Sequence, residues 1–269
     1  MHYQLGLVGQ GIAQSPSPRI HQAFAKSLSL SIEYTLEDIP ESSFETHIAS
    51  MIKRGFQGCN VTTPFKARAL TLAHEASDAA RRAGAANTLL FLPNRRIFAD
   101  NTDGEGLVQD LQHLGYTLEH QSILILGAGG AVSGILEPLL RQRPQKISLY
   151  NRTPDRALDL QKRFPQIALV SLEDTRDTHF NIIIDGTSNR ASLSLVLRDL
   201  DILTLKHSLK LIYDLKYCPS PTALTPTLAW AKVHGITAYE GSGMLIRQAA
   251  LSFERWTGMR CCLLKHHGL

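Results

Sequence analysis

Residues 122–131 read Ser122-Ile123-Leu124-Ile125-Leu126-Gly127-Ala128-Gly129-Gly130-Ala131, an apolar run that ends in a cluster of glycines. The run is typical of a buried parallel strand, and the spacing of Val132 to Gln142 predicts a helix directly after it. Glycines allow a tight turn and a close approach to a pyrophosphate, which the N–H groups at the start of the helix can bind. The stretch therefore predicts the first strand, turn and helix of a dinucleotide-binding unit.

The glycine motif is incomplete, because Val132 stands where the pattern G-x-G-x-x-G has its third glycine or an alanine. On the motif alone, an ordinary strand-to-helix turn in a parallel sheet stays open as the alternative. The sequence on either side of the motif decides between the two.

The composition limits the classes of partner. A chain of 269 residues favours two modest domains, and its net charge of +4 suits an anionic small molecule but provides no basic stripe for nucleic acid. No apolar run approaches the ~20 residues of a membrane span, and no signal pattern begins the chain. The eleven histidines lack metal-ligand spacing, and the four cysteines (Cys59, Cys218, Cys261 and Cys262) form no C-x-x-C pair. We expect a cytoplasmic protein without a metal, a membrane or a nucleic-acid partner.

The first hundred residues alternate strand and helix patterns and form a self-contained α/β unit. The predicted strands are Tyr3–Val8, Ile32–Leu36, Phe56–Val61, Asn87–Leu92 and Arg95–Ala99. The predicted helices are Arg19–Leu28, Phe44–Lys53, Ala67–Ala73 and Asp78–Ala83.

The rest of the chain repeats the alternation around the glycine cluster. Further predicted strands are Lys146–Tyr150, Ala168–Leu172, Phe180–Asp185 and Leu209–Tyr213, with a loop from Tyr239. Further predicted helices are Glu105–Leu114, Asp155–Arg163, Thr225–His234 and Met244–Trp256. We predict an α/β fold with an N-terminal α/β substrate domain (residues 1–102 and 242–269) and a Rossmann-like cofactor-binding domain (103–241). The C-terminal helix is expected to return to the first domain.

The end of the second Rossmann strand predicts the cofactor. Chains that bind NAD usually place an acidic residue there, whereas this chain has Asn151-Arg152-Thr153 and then Arg156. Two guanidinium groups and a hydroxyl suit the 2′-phosphate of NADP, because arginine binds phosphate through strong charge-assisted hydrogen bonds. A solvated helix start is the alternative reading of the two arginines.

Lys66 and Asp103 are candidates for proton transfer. Lys66 follows a strand and a turn that contains proline, and Asp103 lies at the predicted joint between the domains. Reduction of a ketone by hydride leaves an alkoxide that needs a proton, which an ammonium held by a carboxylate can supply. A surface lysine and a helix-capping aspartate remain the alternatives at this point.

Several polar residues could bind a small, oxygen-rich substrate. Ser15 and Ser17 flank a proline before a helix and could grip a carboxylate, although capping serines look the same. Asn87 follows three small residues that would let a ligand approach, and could equally be a turn residue. Tyr217 and Gln248 could bind hydroxyl groups, or lie in the core or on the surface.

Taken together, these stretches resemble the shikimate dehydrogenase family. The matching segments follow the family order over nearly the whole chain: Ser15-x-Ser17-Pro18, Asn60-Val61-Thr62-x-Pro64-Phe65-Lys66, Gly84-Ala85-Ala86-Asn87-Thr88, Asp100-Asn101-Thr102-Asp103-Gly104, Gly127-Ala128-Gly129-Gly130-Ala131, Asn151-Arg152-Thr153, Tyr213-Asp214-x-x-Tyr217 and Gly241-Ser242-Gly243-Met244-Leu245-x-x-Gln248-Ala249. Each segment is a weak signal alone, and their combination is specific.

The resemblance implies the NADPH-linked reduction of 3-dehydroshikimate to shikimate, in the biosynthesis of aromatic amino acids, by a monomer or homodimer. By this likeness Lys66 and Asp103 are the catalytic couple. The implied substrate-binding residues are Ser15, Ser17, Thr62, Lys66, Asn87, Asp103, Tyr217 and Gln248. The implied cofactor-binding residues are Asp78, Gly127, Ala128, Gly129, Gly130, Ala131, Asn151, Arg152, Thr153, Arg156, Leu215 and Gly241.

The chain departs from the family pattern at several positions. Gly11 and Gln14 replace a proline and a histidine before the serine pair, which implies a less rigid loop. Asp185 begins Asp185-Gly186-Thr187-Ser188, where the family has Asn-Ala-Thr-Ser, and an acid facing the cofactor would weaken the binding of a polyanion. Two alternatives therefore stay open: a quinate/shikimate dehydrogenase, and a non-catalytic NADP-sensing module of the same fold.

Overall fold

The computed structural model describes residues 2–171, 173–175, 179–187, 208–218 and 224–261. The chain forms two compact units, residues 1–109 with 245–269 and residues 110–244. Asp103 therefore lies in the same unit as Lys66, whereas the predicted boundary after residue 102 would separate them. Three residues named in the sequence predictions, Leu172, Ser188 and Cys262, lie outside the described residues.

A six-stranded sheet forms the centre of the first unit, in the order β2-β1-β3-β5-β6-β4. Its strands are β1 (His2–Gly9), β2 (Ser31–Asp38), β3 (Gly58–Val61), β4 (Glu75–Ala76), β5 (Thr88–Phe91) and β6 (Ile97–Asp100). Its helices are α1 (Ser17–Ser27), α2 (Phe44–Lys53), α3 (Lys66–Leu72), α4 (Asp78–Ala83) and the beginning of α5 (Asp103–His113). Short 3-10 turns occupy Glu41–Ser43 and Pro93–Arg95.

The pairing of these strands brings several loops to one edge of the sheet. β1 and β3 are parallel, with Val8 opposite Val61, and β5 runs antiparallel to both β3 and β6. Thr88, the first residue of β5, lies opposite both Asn60 and Asp100. The carboxyl ends of β1, β3 and β6 therefore meet at the same edge, where β5 begins.

The second unit contains a fully parallel sheet in the order β12-β11-β10-β7-β8-β9. The strands are β7 (Ser122–Leu126), β8 (Lys146–Tyr150), β9 (Ala168–Leu169), β10 (Ile182–Asp185), β11 (Leu211–Asp214) and β12 (Ala238–Glu240). The helices are α6 (Gly130–Arg141), α7 (Pro154–Arg163) and α8 (Pro226–Val233). β12 corrects the predicted loop at Tyr239, because three residues pair with β11 without a readable periodicity.

The last helix, α9 (Ser242–Thr257), returns to the first unit as predicted. Its buried face places Ala249, Ala250 and Phe253 against Ile20 and Phe24 of α1. In the part of the chain that the structure covers, no helix is long and apolar enough to cross a bilayer.

A buried histidine lies where α1, β2 and α9 meet. The His21 ring is fully buried and stacks on Tyr34 with the ring centroids 4.3 Å apart, and Trp256 approaches it at 5.5 Å. Burial lowers the pKa of His21 to about 3, although the hydrogen bond with Asn60 opposes this shift. The ring is therefore a neutral core residue.

We expect His21 to make the stability of the protein depend on pH. The unfolded chain protonates this ring near pH 6.5 and the folded chain only near pH 3, so the free energy of unfolding falls as the pH drops between these values. The loss is about 2 kcal/mol between about pH 6 and about pH 4.5. His21→Phe should remove this part of the pH dependence in urea unfolding at the two pH values.

The matched control is His2→Phe, at an exposed position of the same unit. Its pH dependence should equal that of the wild type. An equally steep dependence in His21→Phe would show that the buried ring is not kept neutral by folding.

Candidate active site

Two loops at the carboxyl edge of the first sheet lie side by side. The Thr62 N–H donates to the Val8 carbonyl at 2.9 Å, and the Gln10 N–H donates to the Thr63 carbonyl at 3.1 Å. A Cβ on Gly9 would lie only 2.5 Å from Thr62 Cγ2, so glycine at this position permits the contact. The loop after β1, which carries the serine pair, is thereby held against the loop after β3, which leads to Lys66.

The serine pair stands at the start of α1. Ser15 Oγ donates to Ser17 Oγ at 3.1 Å, and Ser17 is buried. The loop before the pair lacks the family's proline and histidine, but the N–H groups of Gly11 and Ile12 donate to the Asp38 carboxylate at 3.0 and 3.1 Å. The expectation of a less rigid loop did not include these two hydrogen bonds to Asp38, which lies far from the loop in sequence.

The structure brings Lys66 and Asp103 together. Lys66 is the first residue of α3 and Asp103 the first residue of α5. Lys66 Nζ donates to Asp103 Oδ2 at 2.5 Å, with side-chain exposures of 18 % and 7 %. The Asp103 N–H donates to Asn101 Oδ1 at 3.1 Å, which fixes the start of the helix. A largely desolvated ammonium thus faces one oxygen of an oriented carboxylate.

Asn87 connects this ion pair to Gln248 on the returning helix. Its Nδ2 lies 2.8 Å from Asp103 Oδ1, 2.8 Å from Thr102 Oγ1 and 3.0 Å from Gln248 Oε1. Its Oδ1 accepts from the Thr102 N–H at 2.9 Å. Four predicted site residues (Lys66, Asn87, Asp103 and Gln248) therefore form one hydrogen-bonded cluster.

Asn60, which was not among the predicted site residues, joins this cluster to β2 and α9 by hydrogen bonds. Its Nδ2 donates to the Asn87 carbonyl at 3.1 Å and to Ser252 Oγ at 3.0 Å, while its Oδ1 accepts from Tyr34 at 2.8 Å. The sequence signal that could have identified it is an amide side chain within β3, a strand whose other residues are apolar and whose four residues are all buried. Such a residue needs hydrogen-bond partners, and these come from other elements.

The glycine cluster of the second unit has the geometry of an anion site. Gly127 has φ +101, and a Cβ there would lie 2.9 Å from the Gly186 carbonyl. Gly129 precedes α6 without a side-chain cap, and a Cβ on Gly129 or Gly130 would meet nothing within 4 Å. The N–H groups at the start of α6 therefore lie beside open space, where a helix N-terminus can bind an anion.

Gly186 explains why the glycine motif tolerates Val132. A Cβ on Gly186 would lie 2.4 Å from Val132 Cγ2, so these two positions cannot both carry a side chain without a shift. In the motif, the third glycine allows close packing of helix and strand. Here Gly186, directly after β10, allows the close packing, and Val132 of α6 occupies the space that a side chain on Gly186 would need.

The predicted 2′-phosphate residues lie together at the start of α7, directly after β8. Asn151 Nδ2 donates to the Thr153 carbonyl at 2.7 Å. Arg152 and Arg156 are exposed, and neither guanidinium has an ion-pair partner among the residues that the structure covers. Two exposed arginines close in sequence to the hydroxyl of Thr153 suit a phosphate dianion.

The remaining predicted residues are divided between the units. In the second unit, the Leu215 N–H donates to the Asp185 carbonyl at 2.9 Å, and a Cβ on Gly241 would lie 2.5 Å from the Leu215 carbonyl oxygen. Tyr217 is 37 % exposed. Asp78 lies in the first unit, 91 % exposed and paired with Arg81 at 3.1 Å.

Asp185 does not present a free carboxylate, contrary to the expectation from the sequence. It is 1 % exposed, and its oxygens accept hydrogen bonds from Thr187, Thr227 and the ammonium of Lys216. Lys216 is not recognisable as this partner from sequence, because the pairing depends on β11 lying beside β10.

Family models match three parts of the chain. "Shikimate dehydrogenase substrate binding domain" matches residues 7–89, "Shikimate / quinate 5-dehydrogenase" residues 109–213, and "Shikimate 5'-dehydrogenase C-terminal domain" residues 241–261. The matches cover most of the two units, including the whole of the returning helix α9.

Individual relatives agree with these matches. "Shikimate dehydrogenase (NADP(+))" from Colwellia psychrerythraea is 43% identical over 95% of this chain and 92% of its own. The crystal structure of an Ael1 enzyme from Pseudomonas putida has a TM-score of 0.86 at 34% identity, covering 97% and 95% of the two chains. Shikimate 5-dehydrogenase from Thermus thermophilus, solved with NADP(H) and shikimate, has a TM-score of 0.82 at 30% identity, with the same coverage.

We predict that Gly186→Ala destabilises the second unit because of the contact with Val132. The added methyl group should lower the free energy of unfolding by about 1–3 kcal/mol, as expected for overpacking. Val132→Ala in the same chain removes the opposing methyl groups and should recover part of this loss. Urea unfolding of both single variants and the double variant measures the coupling.

Gly129→Ala is the matched control, because its Cβ would point into open space. Its free energy of unfolding should stay within about 0.5 kcal/mol of the wild type. A Gly186→Ala variant as stable as this control would refute the packing argument.

Proposed function

The chain belongs to the shikimate dehydrogenase family, and on that premise we propose that it catalyses the reversible NADP-dependent reduction of 3-dehydroshikimate to shikimate. This oxidoreductase reaction is a step in the biosynthesis of aromatic amino acids. One observation carries the proposal at the level of residues: the buried contact of Lys66 Nζ with Asp103 Oδ2 at 2.5 Å. None of the relatives reported above favours the quinate enzyme or the non-catalytic module.

Lys66 is the proton donor in this proposal. Bound NADPH supplies the hydride that adds to the carbonyl carbon of the substrate. The carbonyl oxygen then gains a proton from Lys66 Nζ, and in the reverse direction the lysine takes it back. Asp103 keeps the ammonium oriented through Oδ2, while its Oδ1 is held by Asn87.

The substrate's carboxylate and hydroxyl groups have separate partners in this proposal. Ser15 and Ser17 bind the carboxylate. This assignment is supported by the position of their two hydroxyl groups, which lie next to each other at the N-terminus of α1. Thr62, Asn87 and Gln248 bind the ring hydroxyls. The Asn87–Gln248 hydrogen bond supports this assignment, because a diol needs adjacent donors and acceptors. Tyr217 is assigned to the substrate on the strength of the family resemblance alone.

The second unit holds NADP. Gly127 to Ala131 bind the pyrophosphate at the start of α6, and the cluster Asn151, Arg152, Thr153 and Arg156 binds the 2′-phosphate. Leu215 and Gly241 lie near the nicotinamide and act mainly through their backbone. Asp78 is proposed to approach the cofactor as well, on the strength of the family resemblance alone.

The enzyme is proposed to act in the cytoplasm as a monomer or homodimer. Cys59 and Cys261 are free thiols, which fits a reducing compartment.

Lys66→Ala should lower kcat by about 10²- to 10⁴-fold, because it removes the general acid. The dissociation constant for NADP, measured by calorimetry, should change less than about threefold, because none of the residues proposed to bind the pyrophosphate or the 2′-phosphate is changed. Lys53→Ala, at an exposed lysine of the same unit, is the control and should keep wild-type kinetics. A Lys66→Ala enzyme with more than a tenth of the wild-type kcat would exclude the assigned role.

Arg152→Ala combined with Arg156→Ala should raise the KM for NADP by roughly 10- to 100-fold, since charge-assisted bonds to the 2′-phosphate are lost. The KM for NAD, which lacks that phosphate, should change little. Lys162→Ala near the other end of α7 is the control. Equal losses for both cofactors would contradict the 2′-phosphate assignment.

The wild-type assay with shikimate and quinate, each with NADP and NAD, tests the proposed function itself. We expect turnover of shikimate with NADP. Turnover of quinate with NAD at a comparable rate would favour the quinate/shikimate enzyme, and NADP binding without any turnover would favour the sensing module.

A further inference from the structure

Asp185 places a buried carboxylate beside the proposed pyrophosphate site. It ends β10, the strand between β7 and β11, with Leu126 and Asp214 as its cross-strand partners. The residue after it, Gly186, packs against Gly127 of the glycine cluster. A carboxylate here would repel the phosphates of a dinucleotide unless its charge were neutralised.

Lys216 supplies the neutralising charge. Its ammonium lies 2.8 Å from Asp185 Oδ2, 2.9 Å from Asp214 Oδ1 and 2.9 Å from the Thr187 carbonyl. Burial lowers the pKa of Lys216, but its bonds with Asp185 and Asp214 outweigh that effect and raise the pKa overall. The lysine therefore stays charged between the two strand ends.

The backbone of Lys216 belongs to the loop after β11. The Lys216 N–H donates to Asp214 Oδ1 at 3.0 Å, and its carbonyl accepts from the Gly241 N–H at 2.8 Å. Leu215, just before it, is bonded to the Asp185 carbonyl. The lysine side chain thus ties Asp185 to the segment that carries Leu215 and Tyr217.

We propose that Lys216 is a positioning residue for the cofactor. Its ammonium cancels the charge of Asp185 at the phosphate-binding edge and holds the loop with Leu215 and Tyr217 in place. Asp185 and Lys216 form a matched pair: the lysine permits an acid where the family pattern has an asparagine.

The inference rests on the proposed binding of NADP, and calorimetry with NADP tests it without requiring turnover. Lys216→Met leaves Asp185 and Asp214 without a cation, so the dissociation constant for NADP should rise at least about tenfold. Asp185→Asn alone should stay within about threefold of the wild type, since Lys216 keeps Asp214. The double variant should bind NADP more tightly than Lys216→Met, because only Asp214 then lacks a cation.

Lys210→Met is the matched control. It removes the same charge near the opposite end of β11, where Lys210 Nζ bonds with Gln121, and should leave NADP binding unchanged. Melting temperatures without ligand separate folding defects from binding defects. If Lys216→Met does not fold, a double variant that folds and binds NADP supports the pair.

Two results would overturn the inference: a Lys216→Met dissociation constant within twofold of the wild type, or a double variant that is no better than Lys216→Met. Wild-type protein that does not bind NADP would instead refute the proposed function. The two failures are therefore distinguishable.

Discussion

The ion pair between Lys66 and Asp103 imposes the strictest condition on the first unit. Removing two charges from water costs several kcal/mol per ion unless good geometry and further hydrogen bonds compensate. Asp103 meets this condition with Lys66 on one oxygen and Asn87 on the other. Its partners come from different strand ends, so the pair can form only if β3, β5 and β6 are in the observed register.

The polar network under this pair extends the same constraint to the end of the chain. Gln248 and Ser252 of α9 bond with Thr102, and Asn60 bonds with Ser252 and the Asn87 carbonyl. Because buried polar groups are costly when unpaired, the helix must pack in one rotational setting. The returning helix therefore completes the buried surroundings of Lys66 and Asp103 as well as adding core volume.

The second unit shows how a motif can change without losing its geometry. Val132 replaces a small residue of the glycine motif, and Gly186, directly after β10, provides the missing space. Asp185 brings an acid to a phosphate-binding edge, and Lys216 lies 2.8 Å away. Each departure is balanced by a residue that is distant in sequence and adjacent across the sheet.

The amino-acid sequence by itself determined the order and type of the main elements, because long apolar periodicities are local. Phe44–Lys53, Asp78–Ala83 and Lys146–Tyr150 agree with the structure to the residue. β4 and β12 were missed, since two or three residues have no period and exist through their neighbours.

Family-specific segments also identified Lys66, Asn87, Asp103 and Gln248 as site candidates. Only the tertiary structure decided which groups form hydrogen bonds with these residues: Asn60 and Thr102 bond with Asn87 beside the ion pair. The same holds for Lys216, whose ammonium bonds with Asp185 in the second unit. Hydrogen bonds and charge pairs act over about 3 Å in space, and the sheet register, not separation along the chain, sets which groups come that close.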